Sequence, residues 1–573
     1  MHLLAIEATH SIGAPIDKHI SPDTCILTDA VTGAPVDHQD HSDDPKASDV
    51  ATVNPTVMVS CATDSVERHV EQTEFKAETR PSICVRPGHL QEMIGEAAHH
   101  LAMTGNFFQY EGATVAIHID AASGESGIQA LQPMDMAYAM DGVMVWQKED
   151  KRSKSWSKID PPERICKMLT TITKHGQLPV LNGLTRQPFL RPDGSLCLKS
   201  GYDSATGLYG FFDANDFDVP EMPSRRQAEE ALTLLQGLLS EFSFASESDQ
   251  SAALAAMLTA AIRSSFAAAL MFHVRAPQIA SGKSYLCEII TAFASPQPGS
   301  PIGFPNSNDE CSKLLVAELL CSPAVIEFDN LTSDIKPYKS LCTALTSGRM
   351  KGRILGVSEM AKVGTRTLFL SSGNNVGPVA DMTRRCVTIH LDPKCEVPAS
   401  RTYKNPNLIA EVLRARGRYV SAALIIVRAW ITAGRPTTEC KPVNSFGEWT
   451  ALCRQPLLWL NQPDPATSVF NGMAEDPENE ITGQFLGSWF ALFGDKAMLV
   501  RDAISHSGHL SQDAEEFNEV MYEVAGERGK INSRKAGHWM KRHEGRVVNG
   551  LRLTRCPKTR NVESWRVESV KSV

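Results

Sequence analysis

Along this chain the apolar positions change period several times, and each change marks an element. At 90–102 they recur at helical spacing, at 114–119 they alternate as in a strand, and 228–242 and 250–268 read as two helices, the second rich in alanine. That helix leads into a short apolar stretch from Leu270, a loop of small residues, and Gly282-Lys283-Ser284 opening a helix predicted over 285–294. Three further strands are predicted: 322–329 ending in Asp329, 367–374 ending in Asn374, and 386–391. Beyond them 407–431 reads as helical, 446–459 as an aromatic-rich packing segment and 476–510 as helical. Helices at 512–526 and 531–543 and strands at 546–554 and 564–570 close the chain.

The strand, small-residue loop and Gly-Lys-Ser helix start have the order a phosphate site needs. A buried strand fixes the loop, backbone N–H groups surround the phosphates, Lys283 brings a point charge, and the Ser284 hydroxyl can ligate Mg²⁺ at a helix N-terminus. Pro277, Ala280, Ser281, Gly282, Lys283 and Ser284 are the expected ATP-binding residues. Pro277 stands where the G-x-x-x-x-G-K-[ST] pattern has its first glycine, so the loop must start in a backbone shape proline tolerates. A lone Gly-Lys-Ser is a common tripeptide, and the order of polar-ended strands downstream gives the pattern its weight. Asp329 can hold the Mg²⁺ shell opposite Ser284. Glu327, on the same strand face by alternation, is the alternative ligand or the base that activates water. Asn374 suits sensing of a γ-phosphate, and the pair Arg384 and Arg385 can reach a neighbour's nucleotide as an arginine finger.

Length and charge add limits. A chain of 573 residues should hold roughly three or four domains. Its longest nearly apolar run, 252–262, is closed by Arg263, short of the ~18 residues a membrane span needs. The first residues lack the basic start and apolar core of a signal peptide, and the fourteen cysteines include no C-x-x-C pair. A cytoplasmic protein with reduced thiols is expected. Residues 1–80 carry fourteen Asp or Glu against five Lys or Arg, and are read as a mostly disordered acidic tail with one candidate strand at 56–61. Residues 527–573 reverse the balance, with thirteen Lys or Arg against four Glu, which places expected nucleic-acid affinity at that end. Trp146 and Trp156, among Lys148, Lys151, Arg152, Lys154 and Lys158, form an aromatic and basic cluster suited either to stacking on single strands or to a solvated hairpin tip.

The block 275–392 resembles the ATPase core of superfamily 3 helicases, in particular the poxvirus-type primase-helicases of phages, plasmids and integrative elements. The resemblance implies a multidomain α/β protein: a P-loop, AAA+-like core that uses ATP and Mg²⁺, an N-terminal α+β accessory domain and a C-terminal winged helix. It implies a ring, expected to be a homo-hexamer, that moves DNA with Lys283, Glu327, Asp329, Asn374 and Arg384 or Arg385 at its catalytic sites. The stretch 345–356 sits where such helicases place a pore-facing hairpin, making Arg349, Lys351 and Arg353 candidate contacts to single-stranded DNA. The helix, basic helix and two strands at the end match the winged-helix module, with Arg534, Lys535, Lys541 and Arg542 expected to meet duplex phosphates. The expected divisions are the tail 1–80, the accessory domain 81–225, a helical neck 226–268 that packs subunits or is simply core, the ATPase 269–400, a helical region 401–510 and the winged helix 511–573. Archaeal-type primases carry paired carboxylates on a strand, whereas His118-Ile119-Asp120 offers one, so the domain, primase-like or not, is read as a substrate-positioning or DNA-contacting accessory domain. Two rivals stay open: an origin-binding initiator or loader, and a regulatory or defence protein that uses ATP as a switch.

Overall fold

The structure is a computed structural model and describes residues 80–120, 124–171, 177–354, 360–475, 477–506, 511–559 and 562–570. The acidic tail and its candidate strand lie outside these residues. What is described is a mixed α/β, multidomain architecture, and no described helix is long and apolar enough to cross a membrane.

At its centre four strands lie parallel, in the order Val325–Leu331, Leu368–Asn374, Met271–Ala276, Cys386–His390. The continuous burial of these strands follows from helices covering both faces, as parallel sheets require. On one face Phe272, Val274 and Ala276 pack with the helices Glu247–Ile262, Lys283–Ala294 and Arg416–Thr432. On the other, Met271, Phe369 and Cys386 meet the helices Asn308–Leu320 and Lys339–Thr346.

The alanine-rich helix is core within this chain, not an interface neck. Every residue from Ser251 to Ile262 is at most 1% exposed, because the segment is apolar all round and small side chains let neighbouring elements approach on every side. It stops at Arg263, whose guanidinium is buried and donates to the carbonyls of Phe266, Thr365 and Thr367.

Before the sheet, Ser82–Cys84, Val145–Glu149 and Trp156–Ile159 form one small sheet, and Phe107–Tyr110, Ala113–Ile119 and Ser126–Ala130 another. The helices Leu90–Met103, Pro133–Val143 and Glu163–Thr171 share a core with the first. After it, the helices Pro477–Phe493, Gln512–Ala525 and Ser533–His543 pack on an antiparallel sheet built mainly from Leu551–Thr559 and Val562–Ser569. Phe485 and Trp489 of the first of these helices sit in the same core as Phe517, Trp539 and Trp565, the rings of Phe485 and Trp539 being 4.8 Å apart. This C-terminal module therefore starts near 477, well before the 511 drawn from sequence.

A fragment 477–573 should give one cooperative thermal transition by circular dichroism. A fragment 511–573, which lacks Phe485 and Trp489, should give none and should show solvent-exposed tryptophan emission. Equal melting of the two would return the boundary to 511.

Candidate functional site

All four strands of the central sheet run the same way, so their C-terminal ends share one edge. The register Ala276↔Asn374 sets the end of the loop strand beside the amide that ends its neighbour. From Ala276 the chain turns through Pro277–Gly282 and enters the helix Lys283–Ala294. Gly282 has φ +86°, a left-handed conformation that explains glycine there. Pro277 fits because its carbonyl is what the structure uses: Asn375 Nδ2 donates to it at 3.3 Å. Within the loop, Ser281 Oγ (2.6 Å) and Lys283 Nζ (3.1 Å) both donate to the Gln278 carbonyl. Burial lowers the Lys283 pKa, while the charge of Asp329 works the other way.

The carboxylates lie on the face toward this helix. Ser284 Oγ donates to Asp329 Oδ1 at 3.0 Å, and Ser372 Oγ donates to the same oxygen. Just past Asp329 the strand register shifts and Asn330 takes φ +52°, which ends regular pairing and leaves Asp329 at the sheet's edge. Glu327 lies deeper, 3% exposed. Burial, then the charge of Asp329, push its pKa up to about 7, against a lowering contact from the Cys287 thiol. Burial therefore favours the neutral form of Glu327, whereas Asp329 sits at the sheet's edge beside the Ser284 hydroxyl. Among the described residues no group of three His, Cys, Asp or Glu side chains could hold a metal unaided. One carboxylate and one hydroxyl, Asp329 and Ser284, do suit Mg²⁺, which keeps waters and takes its other ligands from phosphates.

Three buried oxygens at this edge lack a hydrogen-bond partner: Gln278 Oε1, Glu327 Oε2 and Asn374 Oδ1. Buried acceptors are costly to leave unpaired, and groups of them mark places where a ligand or water supplies the donor. His273 holds the loop beyond Asn374. Because a carbonyl only accepts, its Nε2–H must donate to Val376 O (2.9 Å), leaving Nδ1 to accept from Ser371 Oγ (2.8 Å). Burial lowers the His273 pKa to about 4, keeping the ring neutral.

Next to the loop a cleft of about 460 Å³ is lined by Phe242, Gly282, Tyr285, Arg401 and Tyr403 among others. Arg401 lies over the Tyr403 ring at 5.4 Å and donates to Ser243 Oγ at 2.8 Å. Sequence reasoning missed this wall, since its two halves come from a turn before the sheet and a segment after it. Tyr403, an aromatic outside any predicted element, was the available signal, whereas Phe242 was read as the end of the helix 228–242.

The two arginines separate. Both bind Asp381 in the turn Ala380–Arg385, Arg384 through Nε at 2.6 Å and Arg385 through Nη1 at 2.5 Å. Arg385 also donates to the Asp381 carbonyl and is 7% exposed, while the Arg384 side chain is 36% exposed. Only Arg384 has a surface to offer.

Of the expected DNA contacts, Arg349 is exposed and also paired within the chain: its Nε meets Glu111 at 2.6 Å and its Nη2 donates to Asn182 at 3.3 Å. It starts the strand Arg349–Arg353, which pairs with Met360–Gly364. Lys351 is exposed opposite Lys362, Arg353 is exposed, and residues 355–359 lie outside the described part. On the helix Ser533–His543, Arg534, Lys535, Lys541 and Arg542 are all exposed. Lys541 is paired with Glu563 at 2.9 Å, and Lys535 Nζ donates to the Gly526 carbonyl. Arg534, His538 and Lys541 share a groove with Arg501, which the sequence did not single out. Trp146 is core at 1% exposure, and Trp156 is 48% exposed.

The Glu327 environment sets a pH dependence. A carboxyl raised from 4.5 to about 7 binds more protons folded than unfolded between those values, so unfolding free energy falls as pH rises through that window. Thermal melting of ligand-free protein should therefore drop from pH 5 to 8 more steeply in the wild type than in Glu327→Gln. Parallel curves would mean that Glu327 ionises normally.

No family model matches this chain, and no curated protein matches it. Among solved structures, the apo C-terminal region of NrS-1 is similar over 83% of this chain and 98% of its own, at 10% identity and a TM-score of 0.34. A shorter piece of that region covers 80% and 96%, at 9% identity and 0.30. A JCV helicase bound to a thiazolopyridine compound covers 43% and 73%, at 12% identity and 0.19. These scores are low, and the functional reading rests on the geometry of the site.

Proposed function

We propose that the chain is an ATP-dependent DNA helicase or translocase acting in replication of a mobile genetic element, working as a ring with ATP hydrolysed at subunit interfaces. The observation that carries this reading is the Ser284–Asp329 hydrogen bond at the shared strand edge, with Lys283 in the loop and Asn374 alongside. That set joins a phosphate-binding loop, a cation-holding carboxylate and an amide that can orient water. The cleft of Phe242 and Tyr403 adds a wall against which a nucleobase can stack.

In this reading the loop's backbone amides and Lys283 hold the phosphates, and Ser284 and Asp329 share the cation. Mg²⁺, when bound, neutralises charge that develops on the transferred phosphoryl oxygens. Asn374 orients the attacking water, His273 fixes the turn after it, and Glu327 is placed to accept the water's proton in its ionised form. Arg384 reaches the neighbouring subunit's nucleotide. The C-terminal module is read as a winged helix that meets duplex DNA through Arg534 and Arg542, and Lys351 is read as a contact to the translocated strand. Strand displacement from tailed duplexes, with ATP hydrolysis measured with and without single-stranded DNA, tests the whole. Hydrolysis without unwinding would favour the initiator or loader, and nucleotide binding without turnover the switch.

Lys283→Ala should abolish hydrolysis with no loss of thermal stability, since it removes a charge and little core volume. Arg384→Ala should also be inactive alone, yet mixing the two inactive proteins should restore a fraction of wild-type turnover that falls on dilution. Some interfaces then pair an intact loop with an intact finger. Active Arg384→Ala protein would end the shared-site mechanism.

The double variant Arg534→Ala, Arg542→Ala should bind duplex more weakly, with the slope of log affinity against log salt reduced by about 2, one per lost phosphate contact. Its ATPase without DNA should equal wild type. An unchanged slope would make this helix a solvated face.

A further inference from the structure

The strands Val145–Glu149 and Trp156–Ile159 form a hairpin at the edge of the first small sheet, beside Ser82–Cys84. One face of this sheet is core, with Ile83 and Trp146 each 1% exposed. The register Gln147↔Lys158 and Glu149↔Trp156, one residue out of phase with the core-facing pair of buried Trp146 and half-buried Ile159, puts Trp156 and Lys158 on the opposite face. Trp156 is 48% exposed, and no aromatic or cation–π partner is found for it among the described residues.

The tip is equally open. Lys151, Arg152 and Lys154 are exposed, and Asp150 spends its carboxylate on the turn, accepting from the Arg152 amide at 2.8 Å. Counting Lys148 and Lys158, residues 147–160 hold five cations against Glu149, Asp150 and Asp160, in a chain of net charge −9. None of the five forms an ion pair among the described residues.

We infer that this hairpin is a docking surface for single-stranded nucleic acid, with a base stacked on the Trp156 indole and phosphates passing Lys158 and the cations of the tip. An exposed indole is worth most to a partner that presents flat apolar faces together with negative charge, and an unpaired strand does both. A duplex keeps its bases inside its stack and would use the cations alone. An acidic peptide would use the cations and gain little from the ring. The hairpin belongs to a different sheet from the strand that carries Asp329 and shares no residue with that site, so this inference holds or fails independently of the ATPase reading.

The test uses the full chain without nucleotide. Anisotropy of a labelled oligo-dT of about 20 nucleotides should show Trp156→Ala binding about tenfold more weakly, with Trp156→Phe within about threefold of wild type. Neither change should alter affinity for a duplex of that length. The triple variant Lys151→Ser, Arg152→Ser, Lys154→Ser should lower the salt slope by about 2, at ~0.7 per phosphate on a single strand, and leave DNA-free ATPase intact. Ultraviolet cross-linking of an iodouracil oligonucleotide should map to Trp156 by mass spectrometry. Absence of that cross-link, unchanged oligo-dT binding by Trp156→Ala, or an equal loss for the duplex would overturn the inference. So would an effect of the triple variant alone, which would reduce the surface to a basic tip that meets phosphates without stacking a base.

Discussion

The hydrogen bond from Ser284 to Asp329 exists only because two strands that are not sheet neighbours end at the same height. Between the loop strand and the strand carrying Asp329 lies Leu368–Asn374, and its register to each fixes the distance between the other two. That middle strand also supplies Ser372, which donates to the same carboxylate, and Ser371, which donates to His273. A slip of this strand by one residue would reverse its faces, turn Asn374 away from the loop and unpair both serines. The apolar layers on both sides resist such a slip, since Leu368 and Leu370 face one core and Phe369 the other.

Buried guanidinium groups join the rest of the molecule to this sheet. Arg186, 4% exposed, donates to the carbonyl of Ser126 and to that of Ser322, just before the strand that carries Asp329. Arg416 donates to the carbonyls of Ala292, at the end of the loop helix, and of Arg186 itself, and to the Gln187 side chain. Gln187 in turn donates to Ala261 O, near the end of the alanine-rich helix. The desolvation cost of each of these cations is offset by several carbonyl dipoles, so removing one would leave acceptors from different elements unpaired. The N-terminal elements are thereby tied both to the helix that follows the Gly282 loop and to the strand that carries Asp329.

Much of that edge was legible in the sequence, for a physical reason. A strand buried on both faces admits polar residues mainly at its end, so Asp329 and Asn374 stood out against apolar runs, and Gly282-Lys283-Ser284 marked where strand gave way to helix. The alanine-rich helix was legible too: of the two readings, subunit packing or plain core, a segment apolar on every side favours the second. Trp146 and Trp156 looked equivalent as members of one cluster, although the parity of positions across a hairpin assigns them to opposite faces. What the sequence could not show were partners brought together only by the fold. Phe242 with Tyr403, Arg349 with Glu111, and Phe485 with Trp539 are pairs of this kind. Neither member of such a pair carries a local signal of the other.

The Arg349–Glu111 contact changes the meaning of the hairpin that Arg349 begins. Glu111 sits in a tight turn, with φ +47° and its side chain 9% exposed, so it is held by its surroundings and acts as a fixed anchor. Directly opposite Arg349 on the paired strand, Tyr110 OH accepts from the Gly364 amide at 3.1 Å, and a Cβ added at Gly364 would lie 2.7 Å from that hydroxyl. Both strands of the hairpin are therefore gripped at the base by consecutive residues of one turn in the N-terminal region. A cation fixed in this way sets where the hairpin starts, and the exposed Lys351 and Lys362 face each other further along its strands. The N-terminal elements gain a role that needs no catalytic residues of their own: they fix the base of the hairpin, and movement of the hairpin against the sheet must either carry that turn along or break the Arg349 ion pair.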